Sequence, residues 1–157
     1  MNVLGIDPGL NGAVALYAPD REPLVWDMPL HHKGSLDAVA LASIIRSTRA
    51  EAAVVEKVGS MPRQAGAFSF GFYTGIAHGA LAAANIPIHT IAPVVWKRAM
   101  GIHRVNETDD LKTKSRSLAM KLFPDQASLF ERVKDDGRAE ALLLAYYFHF
   151  TLKGVSK

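Results

Sequence analysis

The sequence of 157 residues contains no cysteine. That absence excludes a disulfide framework, a thiolate-ligated zinc site and a cysteine nucleophile. The sequence also lacks an apolar run of roughly 18–20 residues, so no membrane-spanning helix is predicted. No basic and apolar leader precedes the first predicted strand, and we expect a cytoplasmic protein with no membrane partner. The length is typical of one domain, and residues 1–157 are expected to form one.

The net charge of +3 is small, but it is distributed unevenly along the chain. Residues 1–90 carry six basic and seven acidic side chains, which gives −1, and residues 91–157 carry twelve and eight, which gives +4. A basic C-terminal half is compatible with a polyanionic partner such as nucleic acid.

Apolar periodicity and turn signals predict an α/β protein with a mixed sheet. A hairpin over 3–17 and a third strand over 23–28 begin the sheet in antiparallel order, and Ser35 is expected to cap the first helix. A buried strand at 52–56 then pairs in parallel through a right-handed crossover. The remaining predicted elements are a helix over 68–85, a strand over 86–92, and helices over 111–123 and 137–152.

The predicted helix over 68–85 contains a glycine every four residues, at Gly71, Gly75 and Gly79. Glycine costs about 1 kcal/mol in a helix interior, so such a stripe favours close helix approach, within the chain or across a dimer.

Four carboxylates stand where apolar residues are expected. Asp7 and Glu56 each end an apolar strand, whereas Asp136 and Glu140 begin an otherwise apolar helix on one face. Since ligands bind at the carboxyl edge of such sheets, we expect the four acids to converge there. All-oxygen ligation suits Mg²⁺ or Mn²⁺, and two such ions clamp the attacking and leaving oxygens of a phosphodiester.

Each acid also has an ordinary explanation. Asp136 is suited to capping the helix and Glu140 to its dipole, while Asp7 before Pro8 fits an Asx-turn. Glu56 with Lys57 is a possible surface pair. The joint placement favours the metal site. Fingerprints of dinucleotide, P-loop and zinc sites are absent.

Three segments resemble motifs of the RuvC-type Holliday junction resolvases. They are residues 5–9 (GIDPG, followed by Gly12), 54–57 (VVEK) and 136–142 (DGRAEAL). The last has the form seen in phage and phage-derived members, and the three occur in the family's order. GIDPG alone is less specific, because actin-like ATPases carry a similar strand.

The resemblance implies an RNase H-like fold, a homodimer and Mg²⁺-dependent nicking of two symmetry-related strands of a four-way DNA junction, in a bacterial or phage-infected cell. It implies metal ligation by Asp7, Glu56, Asp136 and Glu140. Gly137 stands where the family often has an acid or histidine, so Asp135 remains an alternative to Asp136.

Basic and aromatic side chains complete the predicted site. Lys114 or Lys97 is expected to steady developing negative charge, and Phe68 or Phe70 to stack on an unpaired base, although a solvated face or core packing would also explain them. The predicted DNA-binding residues are Arg63, Phe68, Phe70, Lys97, Arg98, Lys112, Lys114 and Arg116.

Other functions remain open from the sequence alone. An actin-like ATPase needs a second lobe that 157 residues do not accommodate. A non-catalytic junction-binding protein would bind DNA better without acids near the phosphates, which argues against this alternative. An RNase H-like nuclease that acts on other branched DNA or on RNA–DNA hybrids is the nearest alternative. The sequence leaves open the cleavage preference, the host and any helicase partner.

Overall fold

The computed structural model describes residues 1–32, 34–57 and 67–155. The strands are β1 (Val3–Asp7), β2 (Ala13–Tyr17), β3 (Leu24–Asp27), β4 (Ala52–Glu56) and β5 (Ile88–Ile91). The α-helices are α1 (Ala38–Thr48), α2 (Ala67–Ala83), α3 (Pro93–Ala99), α4 (Leu111–Leu122) and α5 (Asp136–Val155), and two 3-10 helices cover Pro124–Phe130 and Val133–Asp135.

The five strands form one mixed sheet in the order β3-β2-β1-β4-β5. The β1–β2 and β2–β3 pairs are antiparallel, and the β1–β4 and β4–β5 pairs are parallel. The predicted mixed sheet with an antiparallel start is thus confirmed. The two central strands, β1 and β4, are buried except at their last residues.

Helices cover both faces of the sheet, and each face has its own apolar cluster. Val3 and Val54 belong to the cluster shared with α5, while Leu4 and Val55 belong to the cluster shared with α1 and α2. Side chains alternate between faces along a strand. That alternation directs Asp7 of β1 and Glu56 of β4 to the α5 side.

Helix α5 lies directly against β1 because glycines remove the side chains between them. A Cβ at Gly5 would overlap the Ala141 carbonyl oxygen, and a Cβ at Gly137 would overlap the Asn11 carbonyl oxygen. The Gly137 Cβ would also lie 2.9 Å from Cα of Gly12 in the β1–β2 turn. These contacts fix how far α5 stands from the strand ends.

Three local features differ from the sequence-based expectation. The cap of α1 is Asp37, whose carboxylate accepts from the Ala40 N–H at 2.9 Å, so the assignment to Ser35 was wrong. Helix α3 was not predicted, because its seven residues with Pro93 at the first turn look like a loop after a strand. Asp136 has helical backbone angles and does not cap α5.

Candidate active site

Two carboxylates lie side by side at the carboxyl ends of the central strands. Ile6 and Val55 are paired in the parallel β1–β4 ladder, and Asp7 and Glu56 follow them. The pKa of Asp7 is raised to about 6 and that of Glu56 to about 7, mainly because both are buried and in part because of neighbouring carboxylates. The pair therefore holds protons near neutral pH unless a cation compensates its charge.

Helix α5 adds two carboxylates from its first two turns. Asp136 and Glu140 have side chains that are 15% and 12% exposed. Both lie within electrostatic reach of Asp7 and raise its pKa, and Glu140 also raises that of Glu56. Asp7 thus lies within electrostatic reach of the three other carboxylates.

Two lysines neutralise the α5 acids. Nζ of Lys97, from α3, lies 2.7 Å from Oε1 of Glu140, and this ammonium group also lowers the pKa values of Asp7 and Glu56. Nζ of Lys112, from the start of α4, lies 2.7 Å from Oδ2 of Asp136. The Asp136 carboxylate raises the pKa of Lys112 through this bond.

Neutral donors hold three of the four acids. Nε1 of Trp96 donates to Oε1 of Glu56 at 3.0 Å, and the Ser115 hydroxyl lies 3.1 Å from Oε1 of Glu140. The Gly9 N–H donates to Oδ1 of Asp7 at 3.3 Å. These donors orient the carboxylates without cancelling their charge.

The carboxylate oxygens are chemically suited to bind a divalent cation, although their arrangement does not form a complete coordination site. Among residues 1–32, 34–57 and 67–155, no three His, Cys, Asp or Glu side chains lie close enough to hold one ion together. The four carboxylates therefore do not form the expected metal-binding cluster, and two of them, Asp136 and Glu140, are paired with lysines. Carboxylate oxygens are nonetheless the ligands that Mg²⁺ and Mn²⁺ prefer, and a bound cation would favour the charged forms of Asp7 and Glu56, which burial disfavours.

The neighbouring acid Asp135 faces away from this cluster. Its buried carboxylate accepts from the Arg132 backbone N–H at 2.9 Å and from Nη2 of Arg132 at 2.8 Å. Nη1 of Arg138 lies 3.7 Å away. Despite burial, the Arg132 bonds keep the pKa of Asp135 below its usual range. This geometry favours Asp136 over Asp135 as a candidate ligand.

The structure does not bring Lys114 to the acid cluster. Its Nζ lies 2.6 Å from Oδ2 of Asp109 and 2.8 Å from the His103 carbonyl oxygen. Of the two lysines weighed from the sequence, Lys97 is the one beside the carboxylates, and Lys112 joins it there.

Two grooves lined by basic residues adjoin the acids. A cleft of about 790 Å³ is lined by Lys97, Arg98 and Arg104, among others. A second groove of about 380 Å³ is lined by Lys112, Arg116 and Lys134 and reaches Asp136. The side chains of Arg104 and Lys134 are exposed and form no ion pair with any described residue.

The predicted aromatic contacts lie on α2. Phe68 is 86% exposed and stacks on Phe72 with ring centroids 6.5 Å apart. Phe70 is half-buried and lies beside the β1–β2 turn, where its ring would be 3.9 Å from a Cβ at Gly9. Arg63, also predicted to bind DNA, lies outside the described residues.

Solved structures of junction-processing proteins share this architecture almost end to end. The structure of RuvC from Thermus thermophilus has a TM-score of 0.69 and 18% identity, covering 99% of this chain and 98% of that one. The chain has the RNase H-like fold of RuvC. The T. thermophilus RuvC complex with a Holliday junction substrate gives a TM-score of 0.64 at 20% identity, covering 99% and 97% of the two chains.

A viral protein with this RuvC fold also matches over almost the whole length of both chains. The fowlpox virus resolvase in its complex with substrate Holliday junction DNA has a TM-score of 0.62 and 14% identity, covering 97% of this chain and 99% of that one. No family model and no curated protein matches the sequence. Identities this low establish the RuvC fold alone.

Four residues at or near the site of this RuvC-fold chain were missed by sequence reasoning. Nothing local marks Trp96 and Ser115 as partners of acids 40 and 25 residues away. Arg104 and Lys134 lie in loop-like sequence, and only the fold places them in the grooves that also contain Lys97 and Asp136. Within the described part of the chain, no helix is long and apolar enough to cross a membrane.

Proposed function

We propose that this protein is a structure-selective DNA endonuclease that resolves four-way junctions by paired, symmetric nicks. The observation that carries the proposal is the electrostatic coupling of Asp7 to Glu56, Asp136 and Glu140, next to two grooves lined by basic residues. It is supported by a fold shared with RuvC and a poxvirus resolvase, both solved with Holliday junction DNA.

The four carboxylates would hold Mg²⁺, with Mn²⁺ as a substitute, and two ions per site are expected. Two such ions would supply an activated water and stabilise the leaving oxygen of the phosphodiester. Asp7 and Glu56 would bind once deprotonated, and their raised pKa values make that step sensitive to pH near neutrality.

The chain's own cations have a separate task at the scissile phosphate. Lys97 and Lys112 sit against Glu140 and Asp136, so their ammonium groups lie at the border between the acids and the grooves. From there they can neutralise phosphate oxygens as the acids take up metal charge.

DNA would lie across the acids from one groove to the other. Arg98 and Arg104 line one side, and Arg116 and Lys134 line the other. Contacts of this kind release counterions, so binding should weaken steeply with salt. Phe68, exposed at the start of α2, is available to stack on an unpaired base.

Paired nicks require two sites, and α2 offers a surface for a homodimer. Helix α2 contains no charged residue, and Cβ atoms at Gly71, Gly75 and Gly79 would meet nothing within 4 Å. The predicted close approach is thus not made within the described chain. We propose that a second copy packs on this face.

The deciding experiment compares matched substrates of one sequence: a four-way junction, a fork, a flap, a linear duplex and an RNA–DNA hybrid, each with Mg²⁺ or with EDTA. We expect fast nicking of the junction only with Mg²⁺. A plasmid cruciform should yield linear product directly, because both strands are cut in one encounter. Faster cutting of the fork, flap or hybrid would instead support the broader nuclease.

The matched variants are Asp7→Asn and Asp20→Asn, since Asp20 is exposed in the β2–β3 turn. Asp7→Asn should bind the junction and not nick it, while Asp20→Asn should behave as the wild type. Wild-type nicking by Asp7→Asn would refute the catalytic assignment. For the dimer, light scattering should give twice 17.0 kDa, and Gly75→Arg, but not Ser43→Arg on α1, should halve that mass.

A further inference from the structure

Two acids of the cluster are each held by a neutral donor from a fully buried residue. Trp96 and Ser115 have no solvent exposure, so their polar hydrogens cannot be satisfied by bulk water. A buried donor without an acceptor is costly, and for the indole of Trp96 the acceptor is Oε1 of Glu56. The Trp96 indole is therefore tied to this carboxylate.

In each glutamate the donors contact only one of the two carboxylate oxygens, and the other oxygen accepts no hydrogen bond from the described residues. Oε1 of Glu56 receives Trp96, and Oε1 of Glu140 receives Lys97 and lies 3.1 Å from Ser115 Oγ. No hydrogen bond from the described residues reaches Oε2 of either glutamate. Asp7 follows the same arrangement, since Gly9 holds its Oδ1.

We propose that Trp96 and Ser115 are positioning residues that hold Glu56 and Glu140 by one oxygen each and present the second oxygen to a divalent cation. The inference rests on the proposed function. Partners that hold a metal ligand typically change metal affinity or activity by about 10–100-fold when removed.

The two donors are not equivalent. The indole N–H has one acceptor within the described structure, whereas the Ser115 hydroxyl has one proton and two acceptors, Glu140 and the Leu111 carbonyl oxygen at 3.0 Å. Lys97 also holds the Glu140 oxygen. Loss of the indole donor should therefore cost more cation affinity than loss of the hydroxyl.

The first test measures cation affinity by calorimetry with Mg²⁺ and with Mn²⁺ in Trp96→Phe and Ser115→Ala. We expect affinities lowered by about 10-fold or more for Trp96→Phe and somewhat less for Ser115→Ala. The matched controls are Trp26→Phe and Ser117→Ala, an exposed serine two residues along α4, and both should keep the wild-type affinity.

A second measurement separates positioning from simple stability. In Ser115→Ala we expect the metal-free protein to melt and to bind a junction in EDTA as the wild type does, while the melting temperature gained on adding Mg²⁺ shrinks. Equal losses with and without Mg²⁺ would assign Ser115 a purely structural role and overturn its part of the proposal.

Trp96 also supplies a spectroscopic readout that does not depend on its replacement. The chain has two tryptophans, so Trp26→Phe leaves Trp96 as the sole indole. Its emission should change saturably with Mg²⁺, and the added substitution Glu56→Gln should abolish that change. This titration decides the role of Trp96 if Trp96→Phe does not fold; an unresponsive emission overturns it.

The two proposals fail differently. A wild-type protein that binds Mg²⁺ and nicks junctions, with unchanged cation affinity in both variants, overturns the positioning roles alone. A wild-type protein that binds no divalent cation and nicks no substrate overturns the proposed function and this inference together.

Discussion

The two acids at the strand ends differ from the two on α5 in what lies beside them. Within the described part of the chain, Asp7 and Glu56 accept hydrogen bonds only from a backbone N–H and an indole N–H, and burial raises their pKa values to about 6 and 7 although the Lys97 ammonium lowers both. Asp136 and Glu140 each contact a lysine ammonium at 2.7 Å. The strand-end pair therefore gains most from a divalent cation.

The difference follows from the elements that carry the acids. Backbone ladders fix the strand ends, and the hydrogen bonds to these two acids come from neutral donors. The first turns of α5 lie next to α3 and α4, whose long lysine side chains reach the acids from a partly open surface. The strand-end carboxylates are fixed and their ionisation is costly, whereas the α5 carboxylates are paired with lysines.

The largest predicted effect comes from a substitution at Gly5 that pushes α5, with its two acids, away from β1. In Gly5→Ala the new Cβ overlaps the Ala141 carbonyl oxygen, so α5 has to move away from β1. We expect the free energy of unfolding to fall by about 3 kcal/mol or more, with nicking lost as well. Urea denaturation measures it. Val39→Ala, at an exposed position on α1, should change stability by less than about 0.5 kcal/mol.

Next in size is the contrast between adjacent acids, Asp135 and Asp136. Asp135→Asn removes a buried carboxylate from two arginines and should cost about 2–3 kcal/mol of stability. Asp136→Asn should leave thermal stability nearly unchanged and lower Mg²⁺-dependent nicking. The opposite pattern, a stable Asp135→Asn that has lost nicking, would move the ligand assignment to Asp135.

The pH dependence tests the strand-end pair alone. Folding raises the pKa of Asp7 from 3.8 to about 6 and that of Glu56 from 4.5 to about 7, so the folded state binds protons more tightly than the unfolded state. Their stabilising contribution is complete below pH 4 and is lost as pH rises to 7.

We therefore expect the melting temperature of the metal-free protein to fall by roughly 10 °C between pH 4.5 and pH 7.5. Mg²⁺ should restore it above pH 7 and have little effect at pH 5. Glu56→Gln should flatten the profile. A melting temperature that rises over this range in EDTA would contradict the raised pKa values.

The smallest predicted effect concerns the groove beyond the α5 acids. Lys134→Ala should weaken junction binding only a few-fold and lower the slope of log K against log salt by about 1, because one phosphate contact is lost. Fluorescence anisotropy at several salt concentrations measures both quantities. The control is Arg49→Ala, at the exposed end of α1, which should leave slope and affinity unchanged.

Much of the fold was predictable because its central elements have strong local patterns. The runs at 3–7 and 52–56 and the apolar helix after Asp136 have the periodicity expected for β1, β4 and α5. Together they indicated that four acids converge. Helix α3 was missed because seven residues are too few for a helical period to stand out from a strand.

The details of the site depend on contacts that no local pattern encodes. Adjacent residues on a helix point about 100° apart, so the choice between Asp135 and Asp136 is set by the packing of Gly137 on Gly12. The pairing of lysines with acids likewise depends on how α3, α4 and α5 dock. The catalytic and DNA-binding roles remain predictions for the experiments above.

The acids are distributed from Asp7 to Glu140, and this spacing has a consequence for synthesis of the chain. During translation β1 emerges early, yet the helix that covers it and contributes half of the carboxylates is made more than 120 residues later. A nascent chain whose residues 136–140 are still inside the ribosome cannot complete the cluster. The site therefore cannot form until the first turns of α5 have left the ribosome.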